Sequence, residues 1–339
     1  MNIKIEQKKA GEDLVNLITV QNKRGFEVVF TDFGAALYSI AYPNRKGELR
    51  HVLNCPKSLD TFVHSGCCYG KAVGRVAGRL KDAKAIVGDK VYDLDQNEGK
   101  NILHGGYTSF WKRRYNFKIR TLKNKTDIVF SIKSKAGESG FPGNVSCQVI
   151  YTIPENRKEI KMRFKGKTDE PTLLNLTSHI YVNLNGGFDT ILDHQLYLRC
   201  PQVAKLDDGL IIQGYEDVPT YLDYTKLTTL RDNVRSEILQ NHRAKGMDHV
   251  FKFENINSKV PSAILYDPSS KRKMTLFTNY PGVVVYTENF PTYEENLVGV
   301  KDDENFGITF ETVIPTDDYE AITFTPEKPY DFFAIYKFN

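Results

Sequence analysis

A histidine, a tyrosine and an asparagine alternate with apolar residues along 176–184, Leu-Thr-Ser-His-Ile-Tyr-Val-Asn-Leu. Read as a strand, this run sends Ser178, Ile180, Val182 and Leu184 to one face and Thr177, His179, Tyr181 and Asn183 to the other, because successive strand side chains point in opposite directions. The first face fits a core. The second gathers an imidazole, a phenol and a carboxamide, groups suited to holding a polyhydroxylated ligand. Periodicity alone describes a solvated strand face too, and favours it. Near the carboxyl end, residues 307–314, Gly-Ile-Thr-Phe-Glu-Thr-Val-Ile, set one carboxylate, Glu311, in an otherwise apolar, β-branched run. Partial desolvation raises the pKa of such a carboxyl toward the working pH, as a general base for a hydroxyl requires. A Glu on a wetted strand face is the plainer alternative for one residue taken alone.

Three further segments carry polar chemistry. Residues 96–106 end in Leu103-His104-Gly105-Gly106, where two glycines let the backbone turn sharply and expose the imidazole. Asp248 and His249 precede an apolar strand start, and residues 74–80, Gly-Arg-Val-Ala-Gly-Arg-Leu, place Arg75 and Arg79 among small neighbours. For each segment alone, a bland turn or surface is the favoured reading. No HExxH or tight His-x-His spacing fixes a coordination geometry, so neither a metal nor a cofactor is expected. No Gly-x-Ser-x-Gly elbow, P-loop or GxGxxG fingerprint is present, which removes the usual support for hydrolase, phosphotransferase and dehydrogenase chemistry.

The elements that must position these groups read as strands. Short β-rich runs recur at 26–30, 91–94, 114–122, 127–134, 144–153, 158–165, 264–266, 274–278, 282–287 and 308–314. Val87-Gly88-Asp89-Lys90 and Pro154-Glu155-Asn156-Arg157 punctuate facing runs as hairpins. Helical signals are confined to a turn or two around Leu59, Phe62 and Val63, and to one amphipathic segment marked by Leu227, Leu230, Val234 and Ile238. An all-β chain, a large antiparallel β-sandwich with few short helices, follows. No repeat, linker or composition shift divides the 339 residues, so 1–339 is read as one domain.

Composition agrees. The chain is 40% hydrophobic, enough for a large core, and its net charge of +4 comes from Lys and Arg interspersed with Asp and Glu, with no basic block for nucleic acid. Five cysteines, odd in number and never spaced as CxxC, suit a reducing cytoplasm. No apolar stretch approaches a membrane span, and the first residues lack a signal-peptide core.

In order, the Gly-Arg…Gly-Arg stretch, Asn-Glu-Gly…Leu-His-Gly-Gly, Ser-His-Ile-Tyr-Val-Asn-Leu-Asn-Gly, Met-Asp-His and Phe-Glu-Thr resemble the aldose 1-epimerase (galactose mutarotase) family, from about Phe33 to the final strands. The resemblance implies that family's large β-sandwich and the interconversion of α and β anomers of a free hexose, galactose or glucose. It implies His179 as general acid, Glu311 as general base, and Arg79, His104 and Asp248 as the groups that bind the sugar. On this mechanism Glu311 starts each turnover ionised and His179 protonated. Phe290 is a further candidate, for packing on the apolar face of the pyranose. Departures are Gly78, where an Asn often precedes the arginine, Val284, where many members carry Gln, and the lack of a Gln after Glu311. Two alternatives stand beside it: a relative acting on hexose 6-phosphates, for which Lys71, Arg75 and Lys81 supply cations, and a non-catalytic sugar-binding module on the same fold. The expected partner is a small-molecule sugar, with a homodimer left open and neither nucleic acid nor membrane involved.

Overall fold

The computed structural model describes residues 1–44 and 46–339. Three antiparallel sheets dominate. The first is a five-stranded meander of Asn2–Ala10, Asp13–Gln21, Glu27–Thr31, Ala36–Pro43 and Leu49–His51. The second has nine strands in the order Asn116–Leu122, Lys125–Ser134, Val145–Pro154, Glu159–Thr168, Tyr330–Phe338, Arg272–Thr278, Ala263–Asp267, Gln195–Leu198 and Thr228–Thr229. The third orders Ile212–Asp217, Gln202–Leu206, Asp248–Lys252, Gly282–Tyr286 and Thr309–Val313. Aromatic rings weld the first sheet to the second: Phe30 lies 4.8 Å from Tyr151, and Phe26 lies 5.9 Å from Phe338. Such pairs combine large apolar burial with favourable ring geometry.

Both hairpins expected from turn chemistry are present. Lys84–Val87 pairs with Lys90–Asp93, and Val145–Pro154 with Glu159–Thr168. The helix near Leu59 spans Leu59–His64, where Ser58 caps by accepting from the Thr61 N–H. The single amphipathic segment expected beyond Leu227 is instead two short helices, Leu230–Val234 and Glu237–Asn241, the second opened by its own cap, Ser236. No helix among the described residues is long and apolar enough to cross a membrane.

The run 176–184 departs from its expected form. It is not one strand with a core face and a solvated face, but two short ladders, Thr177–Ser178 against Ala72–Val73 and Tyr181–Val182 against Leu53–Asn54. All nine residues are buried. The polar side chains therefore face protein or an enclosed hollow. Asn183 has left the ligand-holding set altogether, since its amide donates to the carbonyls of Asp189 and Phe306. Two tyrosine hydroxyls clamp the start of the run: Tyr280 and Tyr330 both donate to the Leu176 carbonyl, and the Leu176 N–H donates to Tyr330.

Candidate active site

The third sheet supplies one wall of the site through strand alternation. Its register sets Asp248 opposite Tyr286, Val250 opposite Val284, and Val284 opposite Glu311. Asp248, Val250, Val284, Tyr286, Glu311 and Val313 thus share one face, and all line a cavity of about 500 Å³. The alternate residues Phe251, Val283, Val285 and Phe310 are buried in the core behind it. The isolated glutamate of an apolar strand is therefore a cavity residue and not a wetted one.

The wall beside the Thr309–Val313 edge comes from the run that carries His179, where Val182 and Ile308 exchange backbone hydrogen bonds. The Gly70 N–H donates to the His179 carbonyl at 2.8 Å, and the His179 N–H to the Lys71 carbonyl at 3.0 Å. Asn175 joins the two walls. Its side-chain amide donates to the Ile314 carbonyl at 2.7 Å and its side-chain oxygen accepts the Ile314 N–H at 3.0 Å, as a paired peptide unit would. Across this junction His179 Nε2 lies 3.3 Å from Glu311 Oε1. Neither His179 Nδ1 nor Glu311 Oε2 has a hydrogen-bond partner among the described residues.

A third segment presents His104. Leu103 pairs with Arg79, and Asn97 closes the turn by donating to the Leu103 carbonyl and accepting its N–H. Gly105 adopts φ +83°, and a Cβ there would meet the Gly74 carbonyl oxygen at 2.2 Å, so both its handedness and its contact demand glycine. His104 Nδ1 accepts the Gly78 N–H at 3.2 Å. Burial, His179 and Arg79 hold the His104 pKa well below its ordinary value, so the ring is neutral and its one proton must sit on Nε2. His104 is thereby built as a hydrogen-bond donor. Ligand-capable atoms of His104, His179 and Glu311 lie within 4.8 Å of one another. Two imidazoles and a carboxylate suit a transition metal, but a metal needs a lone pair on the His104 nitrogen that carries the proton.

Arg79 completes the polar rim. Its Nε and Nη2 donate to Glu98 at 2.7 and 2.8 Å, and its Nη1 to Asp248 at 3.4 Å. Burial opposes the guanidinium charge, yet Asp248 and Glu98 more than offset this and raise its pKa. Phe290, 56% exposed, stands at the mouth, its N–H donating to the Tyr286 hydroxyl. The five residues singled out from sequence, His179, Glu311, Arg79, His104 and Asp248, all line this one cavity. Arg75 does not. It is buried elsewhere, with its donors spent on Ser134, Pro142, Thr172 and Lys135. Glu98 and Arg243 also line the cavity and were not singled out. Glu98 stands inside the quoted Asn97-Glu98-Gly99 turn, where only charge complementarity to Arg79 could have marked it, and Arg243 carries no local signal.

The electrostatics of the central pair reverse one expectation. Burial, reinforced by Asp248 and opposed by Arg79, pushes the Glu311 carboxyl up to about 8. Burial also takes His179 down to about 4, against the pull of Asp248. Before a ligand enters, the pair near neutrality is a carboxylic acid beside a neutral imidazole, not the charged pair anticipated. Desolvation disfavours the ionic form of each group and is the largest cause of both shifts. The count of protons is the same in either arrangement. A neutral pair and a charged pair differ only in which partner holds the shared proton.

Residues 16–323 match the family model described as aldose 1-epimerase. The chain is 27% identical over 277 residues to the aldose 1-epimerase of Escherichia coli strain K12, covering 81% of this chain and 79% of that protein. It is 30% identical over 285 residues to the aldose 1-epimerase of Haemophilus influenzae, again covering 81% and 79%. In fold it is similar to the crystal structure of a galactose 1-epimerase from Lactobacillus acidophilus, with a TM-score of 0.87 and 22% identity over 100% of this chain and 98% of that one. With the family model matched over most of its length, on an antiparallel β-sandwich of the same form, this chain belongs to the aldose 1-epimerase family.

Proposed function

We propose that this protein interconverts the α and β anomers of a free hexose such as galactose or glucose, with Glu311 and His179 as the proton-transfer pair. The observation that carries the reading is the 3.3 Å approach of His179 Nε2 to Glu311 Oε1 in a sugar-sized cavity rimmed by Arg79, His104 and Asp248. The C1 hydroxyl and the ring oxygen are bonded to one carbon, so two groups this close can serve both. His104 Nε2 and the remaining Arg79 N–H groups donate to sugar oxygens, and Asp248 accepts from a hydroxyl. Phe290 offers an apolar surface at the mouth.

The pKa values explain why the pair is reactive. When the proton sits on His179 and Glu311 is ionised, burial makes the imidazolium a stronger acid and the carboxylate a stronger base than either is in water. Glu311 takes the C1 hydroxyl proton while His179 gives its proton to the ring oxygen. The C1–O bond to the ring breaks, and C1 becomes an aldehyde. Both protein groups end uncharged, the forms their burial favours. Rotation about C1–C2 turns the other carbonyl face to the chain hydroxyl, and closure reverses the two transfers.

Free sugar is favoured over a phosphorylated one because none of the three cations named for the 6-phosphate lines the cavity. Arg75 is consumed elsewhere, Lys71 is enclosed by Phe33, Phe62 and Trp111, and Lys81 does not line the cavity. A pure binding module would not need the His179–Glu311 pair. The site is complete within one chain, so no second copy is required, and we take residues 1–339 as one domain, with one core cluster drawing on residues from Ile18 to Phe338. Five unbridged thiols support a cytoplasmic setting. The test is polarimetry of freshly dissolved α-D-galactose and α-D-glucose, with the 6-phosphates in parallel. Faster decay of rotation than in buffer alone is expected for the free sugars, and unchanged decay for all four would overturn the proposal.

A further inference from the structure

One partly buried charge of the cavity wall has no part in the proton transfers above. Glu98 grips Arg79 fork to fork, Nε to Oε2 at 2.7 Å and Nη2 to Oε1 at 2.8 Å, with side chains only 19% and 16% exposed. A bidentate pair of this kind fixes the guanidinium plane as well as binding it. Asp248 takes a third N–H. A guanidinium has five, so two remain, one on each terminal nitrogen, at edges whose direction Glu98 sets. The charge consequence is equally specific. Arg79 is answered by two carboxylates, and the other arginine of the lining, Arg243, is 54% exposed at 4.0 Å from Glu98.

We propose that Glu98 is a positioning and specificity-determining residue. It holds the Arg79 fork in one plane for sugar hydroxyls and neutralises the charge that would otherwise draw in an anionic ligand, so the cavity takes uncharged aldoses and turns away those bearing a carboxylate or phosphate. This rests on the anomer-interconversion reading of the same site.

D-galactose and D-galacturonate test it, because they share a ring and differ at C6 by a carboxylate. Anomer exchange is followed for each by NMR, and the ratio of the two kcat/KM values is the readout. Glu98→Gln keeps the shape and one acceptor but loses the charge. The galacturonate-to-galactose ratio is expected to rise about tenfold, in line with a like charge removed from a poorly solvated wall, while the galactose KM rises more than kcat falls. Glu98→Asp keeps the charge and shortens the reach, so discrimination persists while the galactose KM still rises. Arg243→Gln, at a half-exposed rim position, shifts the ratio the other way and serves if the Glu98 variants do not fold. A folded Glu98→Gln with an unchanged ratio overturns the proposal, as does an unchanged ratio in Arg243→Gln. A wild-type protein that accelerates neither sugar instead sinks the underlying reading.

Discussion

Replacing Glu311 with Gln should make the protein both inactive and more stable, and the pH dependence of the gain is the sharper test. In the fold this carboxyl ionises at about 8, against 4.5 when unperturbed, so the native state holds its proton more tightly than the unfolded chain by on the order of 4–5 kcal/mol. The sign follows from proton counting. Between those two values the native state binds the proton and the unfolded state releases it, so wild-type stability falls as pH rises and levels off above about 8. Glutamine has no such proton. The advantage of Glu311→Gln is therefore small at pH 5 and grows to its full size by pH 9. For a chain of this length a difference of that order moves the midpoint by roughly 5 °C. Over the same range the variant should lose anomer interconversion by ~10²–10⁴-fold, the usual worth of a positioned acid or base. Thermal melts of both proteins from pH 5 to 9, beside polarimetry at pH 7, check both halves. A melting difference that stays flat with pH would refute the desolvated carboxyl, whatever the activity.

Further outcomes follow from the same geometry. The wild-type rate should be bell-shaped in pH, falling below about 4, where His179 takes up a proton the pair does not otherwise hold, and above about 8, where Glu311 loses its own; a rate constant across both limits in steady-state polarimetry contradicts this. Gly105→Ala drives a Cβ into the Gly74 carbonyl at 2.2 Å and shifts His104, so kcat/KM should drop ~10–100-fold in a protein that still folds. Arg75→Lys strips most of the bonds to Ser134, Pro142, Thr172 and Lys135 and should lower stability in denaturant titration by roughly 2–4 kcal/mol, with the galactose KM unchanged.

Local chemistry was legible in the sequence, and long-range context was not. The hairpins at 87–90 and 154–157 declared themselves because turn residues act on their own neighbours. The first two strands, Asn2–Ala10 and Asp13–Gln21, went unmarked: the first lies at the sheet edge, largely exposed and rich in Lys, so it lacks a core-facing pattern. The run 176–184 misled for a different reason. Alternation assumes that one face meets water, and here both faces are covered. The five polar residues converge on one cavity, yet nothing in Gly-Arg-Val-Ala-Gly-Arg separates Arg79, at the cavity, from Arg75, locked in structural bonds. That difference is written in residues 134–172 for one arginine and in residues 98 and 248 for the other. The ionisation state of the His179–Glu311 pair was likewise out of reach, because it depends on how completely three separate segments exclude water.

Asn175 has a mechanical consequence. By standing in for a peptide unit against Ile314, its carboxamide bolts together two stretches of chain 139 positions apart, one just before the imidazole and the other just after the carboxylate. The pair is thus carried on a single stiff frame. The long intervening span can lengthen, drift or reshape the cavity mouth, and so change which sugar enters, without altering the spacing on which proton exchange depends.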